Sequence, residues 1–166
     1  MFSTTFALAL TLLVAAGSSQ SISEGELQRM VTTGSYPIGC QDATLASKRL
    51  RGNPTTDPAA LHDAAKAYHA CASGPYGAGS SALRNQANFN TAAALLLAAR
   101  HEADAAAKSD AQTARTLAQA IVDYRRPDNV RTPGLNNDPS AYRTDAGRIA
   151  RDASALLATL AEGAHA

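Results

Sequence analysis

The chain has 166 residues, of which 45% are hydrophobic, 5% aromatic and 17% charged, and its formal net charge is +1. This length corresponds to one domain, and a mean hydropathy of −0.18 excludes both a bundle of membrane-spanning helices and a wholly disordered chain. The balanced charge argues against a nucleic-acid binder. Alanine supplies 38 residues and tryptophan none; because alanine is the strongest helix former, we predict an all-α protein.

An apolar run, FALALTLLVAA, occupies residues 6–16 and is followed by the small residues Gly17 and Ser18. This arrangement predicts a signal peptide over residues 1–18, although no Lys or Arg precedes the run. The run is shorter than the roughly 20 residues that cross a bilayer, so we expect no stable membrane span after cleavage. The sequence thus predicts a secreted or periplasmic protein with a single helical domain over residues 19–166.

Capping signals mark the first and third predicted helices, and an apolar stripe marks the second. Ser23 and Glu26 have the spacing of a capping box, which predicts a short helix ending near residue 32. A second helix is predicted over residues 39–51 from a narrow apolar stripe. Asp57 as N-cap and Pro58 as first helical residue predict a third helix, ending near residue 73.

The second half of the chain begins with residues 74–79, whose glycines and proline predict an irregular linker. The longest predicted helix then runs over residues 81–108, and its centre, residues 92–99, is apolar on every face, which is typical of a helix in the middle of a bundle. Two further helices are predicted, one capped by Asp110 and ending near Arg126, and one over residues 138–162.

Five to six helices with short connections predict a compact antiparallel helical bundle. The alternative is a short solenoid of helix hairpins, which the unit length of about 30 residues would allow. The sequence shows neither self-similarity at a fixed period nor a family-specific pattern, and the bundle is therefore the prediction.

Cys40 and Cys71 are the two cysteines of the chain. In an exported protein two cysteines are expected to form a disulfide. If the helices on either side of residues 52–57 pack antiparallel, both cysteines lie about 16–20 Å from the turn and thus level with each other. We therefore predict a structural Cys40–Cys71 disulfide, since no CxxC motif indicates redox or metal chemistry.

Histidines are the main candidates for ligand binding. His62 and His69 share a helix but lie seven residues apart, too far along it for one metal ion. His101-Glu102 begins like a zinc-protease motif, but the second histidine is missing. His69 and His101, on facing helices, are the pair that we predict as candidate ligands, beside a pocket near residues 95–97.

The chain contains no nucleophile, phosphate-loop or covalent-haem motif, and its aspartates are concentrated at predicted helix starts such as Asp57 and Asp110. We therefore predict no catalytic residues, no resident cofactor and no metal constellation. The expected function is that of an exported, non-catalytic binding or scaffold module whose partner is another envelope protein or polymer. The alternative is a carrier of a small ligand, haem or metal. The residues do not specify the oligomeric state.

Overall fold

A computed structural model describes residues 20–125 and 142–163 and is α-helical throughout its regular structure. The predicted signal peptide and the residues before the last helix, including Asp138 and Pro139, lie outside the described residues. Within the described ranges the chain forms seven α-helices and one 3₁₀ turn at Ile38–Cys40. The helices are α1 Glu24–Val31, α2 Gln41–Gly52, α3 Pro58–Ser73, α4 Pro75–Gly79, α5 Ser81–Ala99, α6 Asp104–Asp123 and α7 Arg143–Gly163.

The predicted starts of α1 and α3 are confirmed. The Ser23 hydroxyl accepts from the Glu26 amide, and the Glu26 carboxylate accepts from the Ser23 amide, which completes the capping box. Asp57 accepts a hydrogen bond from the Ala60 amide, and Pro58 follows it as the first helical residue. These side chains satisfy amides that a helix start otherwise leaves without partners.

Helix α5 forms the centre of the bundle and contacts α1, α3, α4, α6 and α7. Its residues 92–94 and 96–99 are all buried, because neighbouring helices cover it from several sides, and alanine lets them approach closely. In a solenoid each unit contacts only its neighbours in sequence. The contact of α1 with α5 therefore distinguishes this bundle from the solenoid alternative.

Buried polar side chains of α5 bind the end of α1. Asn90 is fully buried; its Nδ2 donates to the carbonyls of Met30 at 2.7 Å and Thr33 at 3.2 Å, and its Oδ1 accepts from the Tyr36 hydroxyl at 2.6 Å. These bonds add to the hydrogen bonding of carbonyls at and just after the end of α1, where the Met30 carbonyl also accepts from the Thr33 amide. Gly34 follows with a φ of 84°, and the Gln86 side chain occupies the space where a Cβ would stand.

The predicted disulfide is present: Cys40 and Cys71 are bonded, with their Cα atoms 5.5 Å apart. It joins the beginning of α2 to the end of α3, which confirms that these helices pack antiparallel. No helix within residues 20–125 and 142–163 combines the length and apolar character that crossing a bilayer requires.

Three predicted boundaries are wrong. Pro75–Gly79, expected as a linker, forms α4 because Pro75 begins the turn and Gly77 is buried against the end of α3. The long helix predicted to residue 108 ends at Ala99, and the next helix starts at Asp104 rather than at Asp110. Neither glycine nor proline marks this break in the sequence.

Candidate metal centre

The turn between α5 and α6, residues 100–103, is held by three consecutive side chains that bind three parts of the fold. Arg100 donates to Asp152 of α7 at 3.0 Å and to the Ile22 carbonyl at 2.7 Å. His101 Nε2 lies 2.7 Å from Glu24 of α1, and Glu102 contacts α3. Because these three partners lie in different directions, the chain leaves the helical path here, and Glu102 is directed towards α3.

Three side chains from three elements meet at this turn. His62 of α3 places its Nε2 atom 2.5 Å from Asp110 Oδ2 of α6 and 3.1 Å from Glu102 Oε1. Asp110 lies in the second turn of α6, between the buried residues Ala107 and Ala111, and it does not cap the helix as the sequence predicted. The nitrogen and the two carboxylate oxygens all lie within 4.8 Å of one another.

Burial differs across this His62–Glu102–Asp110 cluster. The Glu102 side chain is only 9% exposed, whereas that of His62 is 43% exposed. Glu102 Oε2 is buried and has no hydrogen-bond partner among the described residues. A buried carboxylate oxygen without a donor is costly, since desolvation of a charged group needs compensation. The cluster therefore offers an acceptor that a cation would satisfy.

The electrostatics of the cluster follow from two carboxylates that share one imidazole. The hydrogen bond to Asp110 raises the pKa of His62, with burial opposing the shift and the charges of Asp110 and Glu102 supporting it. Burial raises the pKa of Glu102, and the negative charge of Asp110 raises it further. With both carboxylates ionised, even a protonated His62 leaves the cluster with a net charge of −1.

One nitrogen and two oxygen ligands suit a divalent first-row metal ion such as Zn²⁺, which binds imidazole and carboxylate at about 2.0–2.2 Å. Ligand atoms around one such ion lie within about 4.2 Å of one another, so small side-chain rotations bring these three atoms into the first coordination sphere. The exposed side of His62 leaves room for water ligands and for entry of the ion.

The predicted ligand pair, His69 and His101, occupies other positions. His69 is exposed near the end of α3, about two helical turns beyond His62, and His101 pairs with Glu24. Among the described residues, neither belongs to a group of three or more potential metal ligands. A binding role for His69 and His101 stays a prediction.

Sequence reasoning does not find the cluster, because it pairs His69 with His101 across facing helices and considers His62 only with residues of its own helix. It also places Glu102 near the end of the helix predicted over residues 81–108 and Asp110 at the start of the next helix. The available signal was the set of polar residues His101, Glu102 and Asp104, clustered in an otherwise alanine-rich region. Ligands separated by 40 and 8 positions have no local spacing rule, in contrast to those within a single helix.

The cavity that described residues form beside the central leucines is small. Leu96 and Leu97 are fully buried, and the cavity beside Leu97 has a volume of about 10 Å³, which is room for one water molecule at most.

Comparison with known proteins adds no assignment: no protein-family model, no curated protein and no solved structure matches the chain.

Proposed function

We propose that this chain is an exported, non-catalytic binding protein of the secreted or periplasmic space whose ligand is a divalent transition-metal ion, with Zn²⁺ as the first choice. Its ligands are His62 Nε2 and one carboxylate oxygen each of Glu102 and Asp110. The observation that carries the proposal is the buried Glu102 carboxylate: its Oε1 lies 3.1 Å from His62 Nε2, its Oε2 has no donor among the described residues, and a second carboxylate, Asp110, lies beside it.

A purely structural ion cluster accounts for these contacts less well. A salt bridge stabilises a fold when its charges balance and every polar atom is paired. Here two carboxylates face one imidazole, and one buried oxygen has no partner. A divalent ion would neutralise the negative charges of both carboxylates. It would bind His62 Nε2 in place of the proton that this nitrogen shares with the carboxylates, and it would give the unpaired Glu102 Oε2 a partner. A haem has less support, because the cavity that described residues form beside Leu97 has a volume of only about 10 Å³.

Export is supported by the apolar run over residues 6–16 and by the disulfide. Disulfides persist in oxidising compartments and are rare in the cytosol. A metal-binding protein in such a compartment meets ions that enter from outside the cell, and the exposed edge of His62 suits reversible loading.

Isothermal titration calorimetry of the mature protein, produced without a polyhistidine tag and freed of metal, tests the proposal with ZnCl₂. We expect one site with 1:1 stoichiometry. Loading to a free Zn²⁺ concentration 100-fold above the Kd should stabilise the fold by about 2.7 kcal/mol, which raises Tm by roughly 5–10 °C for a domain of this size.

The variants that isolate the site are His62→Ala and Glu102→Gln, which should each weaken zinc binding at least tenfold. The matched control is His69→Ala, on the same helix two turns away. This control should keep the wild-type affinity. Absence of 1:1 binding, or equal losses in the variants and the control, would overturn the proposal.

A second candidate, the envelope scaffold, is favoured by a different observation. Three large apolar side chains stand out as exposed among the described residues, and all lie within five positions of a disulfide cysteine: Ile38, Leu45 and Tyr76. The Tyr76 ring lies against Gly39, next to Ile38, and a contiguous exposed apolar patch marks an interaction surface. Photo-crosslinking from position 76 in the native envelope tests this scaffold function. Crosslinks that an Ile38→Ser variant abolishes would support a protein partner at this surface. If the protein does not crosslink, a partner at this surface is excluded.

A further inference from the structure

The outer face of α2 carries a short self-complementary pattern. Four residues follow each other at spacings of three, one and three positions, and they therefore form one stripe along the helix: Asp42, Leu45, Ala46 and Arg49. Asp42 and Arg49 are exposed, Ala46 is half-buried and Leu45 is 58% exposed. The stripe thus places an apolar pair between opposite charges, and it forms the α2 side of a groove whose other side is α3.

The spacing of this stripe is symmetric. Asp42 lies three and a half positions before the midpoint between Leu45 and Ala46, and Arg49 lies three and a half positions after it. If two copies of α2 pack antiparallel about a two-fold axis through this midpoint, each Asp42 faces the Arg49 of the other copy. Each Leu45 then lies over the Ala46 of the other copy. Isologous contacts require this kind of self-complementarity.

The surface beside the stripe has room for the leucine of a second copy. A groove of about 340 Å³ lies between α2 and α3, and the stripe itself forms its α2 side. Its α3 side consists of the small side chains Ala60, Ala64, Ala67 and Ala70 together with one pair of opposite charges, Asp63 and Lys66. Small residues let a neighbouring helix approach closely, and a leucine that inserts between them loses most of its water-exposed surface.

We propose that the face formed by Asp42, Leu45, Ala46 and Arg49 pairs with the same face of a second copy, which makes the protein a weak symmetric homodimer. The occupant is a second copy because the charges of the stripe are complementary to the stripe itself in the antiparallel orientation. A seam of two helices of about 18 Å each buries less than about 1,200 Å² in total, which is the size of weak, transient interfaces. The metal ligands take no part in this face.

Sedimentation equilibrium of the mature, disulfide-bonded protein between about 5 and 500 μM measures this association. Asp42→Arg and Arg49→Asp each replace both cross-pairs by like charges, and each should weaken dimerisation at least tenfold. The double variant Asp42→Arg/Arg49→Asp restores opposite charges in exchanged positions and should return the Kd to within threefold of wild type. Circular dichroism of each variant checks that the helices are intact.

Lys48→Glu is the matched control, since it changes the net charge by the same amount as Arg49→Asp on an exposed residue of the same helix. It should leave the Kd unchanged. A monomer at every concentration would overturn the proposal, as would a dimer that is insensitive to both single variants. The proposal would also be overturned if the double variant did not recover the wild-type Kd. Crosslinks from position 45 to a different envelope protein would then assign the face to that partner.

Discussion

Replacing Asn90 by leucine removes three buried hydrogen bonds from the centre of the bundle without opening a cavity. Asn90 is fully buried and bonds the carbonyls of Met30 and Thr33 and the hydroxyl of Tyr36. A hydrogen bond contributes about 0.5–1.5 kcal/mol to the free energy of unfolding. The loss is larger when the former partner stays buried without a new bond than when water can bind it. The Met30 carbonyl keeps one acceptor bond, from the Thr33 amide. We therefore expect Asn90→Leu to lower the free energy of unfolding by about 3 kcal/mol.

Asn85 provides a control with the same substitution on the same helix. It is also buried, but its Nδ2 has no hydrogen-bond partner among the described residues. Asn85→Leu removes an unpaired buried donor and adds apolar contacts, so the free energy of unfolding should stay the same or rise by up to about 1 kcal/mol. The substitution is the same at both positions, but the buried Nδ2 is hydrogen-bonded at position 90 and unpaired at position 85.

Urea denaturation followed by circular dichroism measures both variants with the disulfide intact. The m-value should be unchanged and the midpoint of Asn90→Leu should fall, together with a Tm decrease of about 6–12 °C. A loss under about 0.5 kcal/mol for Asn90→Leu, or equal losses for the two variants, would refute the argument that the Asn90 bonds hold α1 to the core.

Three further changes test other parts of the structure. Cys71→Ser should lower stability by about 3.5–4 kcal/mol in the chain-entropy model for a 31-residue separation; an unchanged thermal melt would contradict it. Gly34→Ala should cost about 1–2 kcal/mol in chemical denaturation, because an L-residue is strained at a φ of 84° and its Cβ would displace the Gln86 side chain. Asp152→Ala should cost about 2–3 kcal/mol in the same assay and increase hydrogen exchange of the Ile22 amide, which Asp152 binds at 2.7 Å.

The pH dependence of stability should depend on Glu26. Hydrogen bonds from the Ser23 amide, from Arg148 and from the Ser23 hydroxyl lower its pKa from 4.5 to about 2. The pKa is depressed in the folded state, so Glu26 contributes its stabilisation above pH 4.5 and loses it as the pH falls from 4.5 towards 2. The variant Glu26→Gln should therefore have a shallower decline of Tm over that interval, and Tm curves of identical shape would contradict this role.

Local signals in the sequence determined the helical class, the starts of α1 and α3, and the disulfide. A capping side chain such as Ser23 or Asp57 acts on amides two or three residues away, and such short-range effects can be read from residue order. Cys40 and Cys71 could pair only with each other, and a helical hairpin between them was sufficient to bring them level.

Only the tertiary structure decided where α5 ends and which side chains form the candidate metal centre. Residues 100–103 contain no helix-breaking residue; the chain turns there because Arg100, His101 and Glu102 bind groups on α7, α1 and α3. This break directs Glu102 to His62 and moves Asp110 from a helix start into the second turn of α6. Since these contacts join residues 40 or more positions apart, no local pattern encodes them, and they exist only once the helices have packed.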